Sequence, residues 1–295
     1  MPYLMLILST LFWSGNFVLS RGMHSSITPL GLSFWRWFTA LLILAFITLK
    51  NIKKIKYEIQ GNFNFLLIQA LLGITSFNTL IYIAMQYTTA INAVLVNSSI
   101  PVIIAAISWF IYKEKLTSLQ FIGIIISFSG VIYLMTKGNF FQNGNLKFNK
   151  GDLLVLCAAF TWAFYSINLK KFPVNLTPIT YLFLITAIGL TFILPMYILE
   201  ISTGKTFSIN LPNTLTILYV GTFASVIAFI FWNSAVRKIG ANKAGPFVHL
   251  MPVFSIIMAI IFLGEKLKTF HIYGMILIFF GIFLTTFKLD KTDIS

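Results

Sequence analysis

The sequence predicts an all-α polytopic membrane protein with ten transmembrane helices, which form two inverted five-helix repeats. Hydrophobic residue types make up 58% of the 295 residues, and charged types make up only 9%. The mean hydropathy is +0.90, and the two halves of the chain align with each other. An average soluble domain has about 25% charged residues. This composition therefore excludes an ordinary soluble enzyme, a disordered chain and a nucleic-acid-binding protein.

Ten apolar runs follow one another along the chain. Each is long enough, or nearly so, to cross a hydrocarbon core of about 30 Å as a helix. Helices are required because lipid cannot satisfy the hydrogen bonds of an open backbone. The first run lacks the basic region and the A-x-A site of a cleavable signal peptide, so we expect it to be the first transmembrane helix. The runs are 3–20, 30–49, 63–85, 91–112, 118–136, 152–169, 178–199, 213–235, 244–263 and 270–287.

The basic residues predict the orientation in the membrane. The net charge is +14, and the Lys and Arg residues cluster between the apolar runs. With the N-terminus inside, 13 of these 21 residues lie in inside segments and seven in outside segments, while Arg36 lies within a run. Cytoplasmic loops contain an excess of Lys and Arg. We therefore expect a multi-pass protein of the cytoplasmic (inner) membrane with both termini in the cytoplasm, and no nucleic-acid partner.

The chain contains an internal repeat. With a shift of 151 residues the fourth and fifth runs align with the ninth and tenth without a gap, and with a shift of 149 the first run aligns with the sixth. The halves, 1–137 and 150–288, each contain five runs, so the second half enters the membrane the opposite way round. Inverted repeats are typical of secondary transporters, which bind substrate near the midplane between the repeats. The aligned pairs are Trp13 with Trp162, Ala90 with Ala241, Ala93 with Ala244, Pro101 with Pro252, Gly123 with Gly274, Gly130 with Gly281, and Glu114 with Glu265.

Several segments resemble a known family. The first run contains LFWSGNFVLSRG, the second contains FWRWFTALL, and YKEKL at the end of the fourth run matches LGEKL at the end of the ninth. These segments are similar to the drug/metabolite transporter superfamily, in its ten-helix branch with two EamA domains, over nearly the whole chain. The resemblance implies export or exchange of amino acids and other small metabolites without a cofactor. One departure is Lys113, which stands where the second copy has Gly264.

Polar and aromatic side chains within the runs are the candidates for a substrate site. All seven carboxylates lie in loops or at run ends, so we expect no fixed anion at the midplane and no proton-coupled export of cationic drugs. Aromatic rings shield a zwitterion or a planar solute, and amides fix its orientation. The alternative is helix packing or anchoring at the membrane interface. The candidates are Trp13, Asn16, Asn78, Tyr82, Asn97, Trp162, Tyr165, Asn168, Trp232 and Asn233.

A second group of residues is predicted to shape the helices or the gates. Arg36 either reaches the outer surface or pairs with a substrate carboxylate or with helix-end carbonyls. Pro101 and Pro252 each free a backbone carbonyl one turn earlier, which provides a fixed kink, a hinge or a ligand. The remaining members are Glu114 and Glu265 in the turns, and Gly123, Gly130, Gly274 and Gly281, which we expect to pack the fifth helix against the tenth.

The leading hypothesis is a secondary transporter for an amino acid or a related small metabolite, working as an exporter or exchanger by alternating access. The alternative is uptake or exchange of a nucleotide-like or vitamin metabolite such as S-adenosylmethionine. A membrane-embedded enzyme needs nucleophiles, paired carboxylates or metal ligands, and this sequence has only three His and one Cys. The expected partners are a small-molecule substrate and the lipid bilayer, without cofactor or metal. One copy of the chain is expected to suffice for transport.

Overall fold

The structure is a computed structural model that describes residues 1–48, 52–136, 138, 149–173, 176–263 and 268–286. In these residues the regular structure is helical throughout, without a strand. We number the α-helices α1 to α14 in chain order. Their bounds are α1 Pro2–Gly22, α2 Pro29–Thr48, α3 Ile52–Gln69, α4 Phe77–Ala84, α5 Ala90–Asn97, α6 Ile100–Tyr112, α7 Ser118–Met135, α8 Lys150–Asn168, α9 Pro178–Ser202, α10 Leu211–Tyr219, α11 Ala228–Ile239, α12 Ala241–Ala244, α13 Leu250–Leu263 and α14 Thr269–Thr286.

Eight helical segments in the described part of the chain are long and apolar enough to cross a membrane. The protein is therefore a multi-pass membrane protein. Length and composition do not establish all ten predicted spans, because α7 is a shorter apolar helix and α13 has only 14 residues. The eight segments are Pro2–Gly22, Pro29–Thr48, Gly61–Ala84, Asn92–Tyr112, Lys150–Lys171, Pro178–Ser202, Leu211–Ile239 and Thr269–Thr286.

Two of these segments contain a π-helix in their middle. Residues Ala70–Ser76 connect α3 to α4, and Val220–Ile227 connect α10 to α11. We call them the first and second π segments. A π-helix has a wider turn than an α-helix and is frequent at functional sites. Both π segments contribute contacts to the candidate site described below.

The two proline-containing runs form broken helices. Run 91–112 is divided into α5 and α6, and Pro101 lies in the first turn of α6. In run 244–263 the 3-10 helix Gly245–His249 precedes α13, whose first turn contains Pro252. Proline is tolerated in the first turn because its missing N–H has no partner there. The structure therefore has a change of helix before each proline instead of a kink at it.

The end of α6 explains the one visible departure between the two copies. The residue that follows α6 is Lys113, which adopts a left-handed backbone conformation with φ of 54°. Helices commonly end on a left-handed residue, usually glycine, because glycine has no Cβ to clash. The aligned residue of the second half is Gly264, the residue type best suited to this conformation. Gly264 itself lies outside the described residues.

Helices α7 and α14 pack closely through the four predicted glycines. A Cβ on Gly123 would lie 2.5 Å from the backbone oxygen of Gly281, and a Cβ on Gly130 would lie 2.9 Å from that of Gly274. The earlier glycine of one helix faces the later glycine of the other, so the two helices run antiparallel. Small residues allow such close approach of helix backbones within a membrane.

Candidate functional site

An aromatic cluster lies where α1, α8 and α11 meet. Trp13 and Trp162 contact edge to face with ring centroids 5.0 Å apart. Trp232 lies 5.3 Å from Trp13 and 5.7 Å from Trp162, and Phe229 lies 5.9 and 5.3 Å from the same two rings. Tilted and edge-to-face contacts at these distances are favourable for aromatic rings. Four rings from three helices therefore form one packed apolar centre.

A small cavity lies beside this cluster, and we call it the central cavity. Its walls combine aromatic and aliphatic side chains with three amides. The volume is about 10 Å³, which is room for about one water molecule. In this structure the cavity is therefore too small to hold a metabolite. The lining residues are Trp13, Asn16, Phe17, Phe77, Asn78, Asn97, Ile100, Trp162, Val248 and Met251.

Two tyrosine–asparagine hydrogen bonds lie next to the central cavity. The Tyr82 hydroxyl donates to Oδ1 of Asn16 at 2.8 Å, and the Tyr165 hydroxyl donates to Oδ1 of Asn233 at 2.8 Å. All four side chains are buried. The Tyr165 ring also stacks on Trp162 at 5.1 Å. The two bonds therefore tie α1 to α4 and α8 to α11 around the aromatic cluster.

Arg36 lies at the centre of a buried polar network. Its guanidinium donates from Nη1 to Oδ1 of Asn78 and to the hydroxyl of Tyr82, both at 2.6 Å. Nε donates to Oγ of Ser225 at 2.7 Å, and Nη2 donates to the backbone oxygen of Ala224 at 3.2 Å. The side chain is fully buried, so it does not reach the outer surface, which was one of the two interpretations of its position.

Among the three cavity amides, Asn97 is the one with a buried oxygen that lacks a hydrogen bond. Its side chain is 2% exposed, its Oδ1 has no hydrogen bond, and its Nδ2 faces the sulfur of Met251 at 3.8 Å. Nearby, the ring nitrogens of His249 lie 2.7 Å from Oγ of Ser127 and 2.9 Å from the backbone oxygen of Ser98. His249 therefore satisfies the carbonyl at the α5–α6 break and has a packing role in this conformation. Asn97 keeps an acceptor free beside the central cavity.

A larger cavity of about 250 Å³ opens at the ends of α6, α8 and α11, and we call it the vestibule. Lys170 and Glu114 form an ion pair at its edge, and Asn242 donates to the same carboxylate. The guanidinium of Arg237 lies 3.8 Å above the ring of Phe172. The vestibule lining is Ser108, Tyr112, Glu114, Ser166, Ile167, Leu169, Lys170, Phe172, Val236, Arg237, Gly240 and Ala241.

The structure brings half of the predicted substrate residues to the central cavity. Tyr82, Tyr165 and Trp232 each contact a lining residue, and Asn233 bonds Tyr165. Asn168 does not join them, because it is the last residue of α8 and half-buried. The residues that line the cavity are Trp13, Asn16, Asn78, Asn97 and Trp162. The predicted gating residue at position 265 lies outside the described residues.

Sequence reasoning missed Phe77, Phe229 and Met251. The sequence contains 31 phenylalanines, and an apolar side chain in a membrane helix does not reveal whether it faces lipid or protein. For Phe229 the repeat offered a signal, because a shift of 151 aligns it with the candidate Asn78. Phe77 follows the first π segment and contacts Trp162 with ring centroids 4.7 Å apart.

The fold and the site together define a class of protein: an all-helical, multi-pass membrane protein with a buried aromatic and amide-lined site between its helices. The chain belongs to the EamA-like transporter family, which matches residues 1–136 and again residues 149–287. The resemblance seen in the sequence motifs is thereby confirmed at the level of the family.

Individual relatives agree with this assignment. The uncharacterized transporter YyaM of Bacillus subtilis (strain 168) is 27% identical over 95% of this chain and 92% of its own. An uncharacterized transporter of Archaeoglobus fulgidus is 28% identical over 97% of both chains. A probable amino-acid metabolite efflux pump of Salmonella typhimurium is 27% identical over 62% of each chain. A solved crystal structure at 17% identity superposes with a TM-score of 0.76 over 97% of this chain and 96% of that one, which shows a common fold.

Proposed function

We propose that this chain is a secondary transporter that moves an amino acid or a related small metabolite across the cytoplasmic membrane by alternating access, as an exporter or exchanger. One observation carries the proposal: residues at equivalent repeat positions meet around the central cavity. Trp13 contacts its equivalent Trp162, and His249 contacts its equivalent Ser98. Contacts between equivalent positions are expected near a two-fold axis, where inverted-repeat transporters bind substrate.

The tyrosine–asparagine bonds support the repeat further. A shift of 149 aligns Asn16 with Tyr165, and a shift of 151 aligns Tyr82 with Asn233. The Tyr82–Asn16 bond of the first half is therefore the equivalent of the Tyr165–Asn233 bond of the second half. The tyrosine and the asparagine have exchanged positions between the halves. The bond joins equivalent helices in each half, α1 to α4 in the first and α8 to α11 in the second.

The π segments support the same two-fold relation. Residues 70–76 align with residues 221–227 at the shift of 151. A Cβ on Gly221 in the second π segment would lie 2.7 Å from Thr39 on α2, and a Cβ on Gly189 of α9 would lie 2.5 Å from Ile74 in the first π segment. The first π segment thus packs against α9 of the second half, and the second π segment packs against α2 of the first half. Two halves related by a two-fold axis would make such reciprocal contacts.

The helix ends support an inverted arrangement of the halves 1–137 and 150–288. Arg21 at the end of α1 donates to the backbone oxygen of Met85, and Thr88 pairs with Asp152 at the start of α8. These contacts lie on one face. Helix α8 crosses to the other face, where Lys170 pairs with Glu114. With cytoplasmic termini, as the Lys and Arg distribution predicts, the vestibule opens to the cytoplasm.

The site suits an amino acid because it combines aromatic walls with amides and a single buried cation. The Salmonella typhimurium relative named as a probable amino-acid metabolite efflux pump supports this substrate class. A nucleotide-like or vitamin solute would also stack on the aromatic walls. It remains the alternative, and a ligand screen separates the two. One copy of the chain contains the whole site, so a monomer is expected to suffice.

The test is a thermal-shift screen of the purified protein against amino acids, nucleobases, vitamins and S-adenosylmethionine. A ligand that binds only the folded protein raises its stability. For the solute that stabilises it, Asn16→Ala, Asn97→Ala and Trp162→Ala are expected to weaken binding about 5- to 150-fold, the effect of removing a buried partner. The control is Trp109→Ala, since Trp109 is 56% exposed. Loss of binding in the control alone would contradict the site.

A further inference from the structure

Arg36 is a buried cation whose hydrogen bonds all go to neutral acceptors. They are two hydroxyls, one amide oxygen and one backbone carbonyl. The arginine side chain remains charged in proteins. A charge inside a membrane-spanning segment is costly, and such residues usually pair with an opposite charge or with backbone carbonyls, or mark the path of a transported substrate. The guanidinium also lies 4.9 Å from the ring centroid of Trp37, a contact that favours a cation. Within the described residues, none of these partners of Arg36 is an anion.

The structure describes the side chains of three carboxylates, and all three are engaged elsewhere. Glu114 pairs with Lys170 at the vestibule. Asp152 accepts from Thr88 and caps the start of α8. Glu200 accepts from two backbone N–H groups at the start of α2. Each lies at a helix end. None of the three carboxylates with a described side chain is therefore a counter-ion for Arg36.

The guanidinium of Arg36 is hydrogen-bonded to a residue that lines the central cavity. Asn78 lines the cavity and accepts directly from Arg36. Tyr82 accepts from the same nitrogen and donates to Asn16, which also lines the cavity. A carboxylate that enters between the two amides would replace these neutral acceptors. Arginine binds carboxylates through two parallel hydrogen bonds, which are stronger than bonds to neutral groups.

The same cavity offers an acceptor for a donor group. The Oδ1 atom of Asn97 is buried without a hydrogen bond, and Asn97 lines the same cavity as Asn78. A buried acceptor without a partner is unfavourable, so an ammonium or hydroxyl group of a solute would stabilise it. The vestibule also favours an anionic group, because its lining contains the two cations Lys170 and Arg237 but only one carboxylate.

We propose that Arg36 binds the carboxylate of the transported solute and that Asn97 accepts from its ammonium or hydroxyl group. The proposal rests on the proposed transport function and names the substrate class: small carboxylic acids that also contain a hydrogen-bond donor, above all zwitterionic amino acids. Binding takes place in a conformation with wider walls, since the central cavity holds only about 10 Å³ here. Amides and amines without the carboxylate are poor ligands.

The test compares matched probes on the purified full-length protein. Leucine and tryptophan are each measured as the free acid, as the carboxamide and as the decarboxylated amine, by ligand-induced thermal shift and by counterflow. The wild-type protein is expected to bind at least one of the two acids about 10- to 150-fold more tightly than its amide, the range expected for a charged hydrogen bond. Arg36→Gln is expected to bring the acid-to-amide ratio close to one.

A second variant, Asn78→Asp, tests the same assignment if Arg36→Gln does not fold. Asn78→Asp places a carboxylate on Arg36, so it competes with the carboxylate of the solute. Acid affinity should fall about 10- to 150-fold in the folded variant. The new ion pair with Arg36 offsets the lost hydrogen bond from Nδ2 of Asn78 to the backbone oxygen of Gly73. Ser33→Ala is the matched control, because Ser33 lies one turn before Arg36 on α2 and hydrogen-bonds Thr79 on α4 without touching the charge. It should keep the wild-type ratio.

The assignment would be overturned by amides that bind as well as acids, by an unchanged ratio in folded Arg36→Gln, or by full acid affinity in Asn78→Asp. Binding of none of the six probes would also remove it. Counterflow of an amine or an uncharged solute that is sensitive to Trp162→Ala would remove the role of Arg36 but preserve the transporter. Absence of counterflow for every solute in the wider screen would remove the transport function as well.

Discussion

Replacement of the two site tyrosines by phenylalanine should destabilise the protein unequally. The Tyr82 hydroxyl makes one bond to the amide of Asn16 and one to the charged Arg36. The Tyr165 hydroxyl bonds the amide of Asn233. A neutral hydrogen bond contributes about 0.5–1.5 kcal/mol, and a bond to a charged group about 1.5–3 kcal/mol. Tyr82→Phe should therefore cost about 2–4 kcal/mol. Tyr165→Phe should cost about 1–2 kcal/mol, because the Tyr165 hydroxyl meets only the neutral groups of Asn233 and Tyr181.

Equilibrium unfolding in mixed dodecylmaltoside and sodium dodecyl sulfate micelles measures this difference. The two tyrosines are equivalent in burial, each at 2% exposure or less, so the hydrophobic contribution of the ring is the same in both variants. Tyr87→Phe is the control, since Tyr87 is 60% exposed and should change stability by less than about 0.5 kcal/mol. Equal losses in Tyr82→Phe and Tyr165→Phe would refute the charged network around Arg36.

Three further predictions concern packing, coupling and topology. Gly123→Ala should destabilise the protein by about 1–3 kcal/mol, because the new Cβ would meet the backbone oxygen of Gly281 at 2.5 Å. The control Gly61→Ala, with nothing within 4 Å of its Cβ, should stabilise α3 by about 1 kcal/mol. Equal stability changes of the two variants in thermal unfolding would contradict the contact. Transport should respond only weakly to an imposed proton gradient, and a steep dependence that His249→Ala abolishes would show that His249 transfers protons. A cysteine at position 143 should react with a membrane-impermeant maleimide from outside, and protection in whole cells would reverse the predicted orientation.

The helical, membrane-spanning character could be predicted from composition alone, because so few charges cannot cover a soluble surface. The glycines that join α7 to α14 could also be predicted, since small residues at matched positions of two aligned runs indicate close helix contact. The structure places Gly123 and Gly130 opposite Gly281 and Gly274. The breaks before Pro101 and Pro252 were only partly predictable, because proline specifies where a helix is interrupted but not whether it kinks or restarts.

The partners of Arg36 could not be predicted from the sequence. Ser225 and Ala224 lie in the second π segment, almost 190 residues away along the chain, and apolar sequence does not reveal a π-helix. The sequence also did not show that Asn168 lies away from the central cavity, because its position depends on where α8 ends. Side-chain type identified the polar candidates. Which of them face the cavity depends on helix rotation and on contacts between the two halves, which one run does not encode.

Solute counterflow in proteoliposomes tests alternating access at the central cavity most directly. Vesicles that contain the purified protein are loaded with an excess of the unlabelled solute found by the screen, and a trace of labelled solute is added outside. A transporter should accumulate the label transiently above its equilibrium level, with loss of this overshoot in Trp162→Ala and its retention in Trp109→Ala. Simple equilibration of the label, or flux that rises without saturation, would contradict the mechanism and indicate a channel.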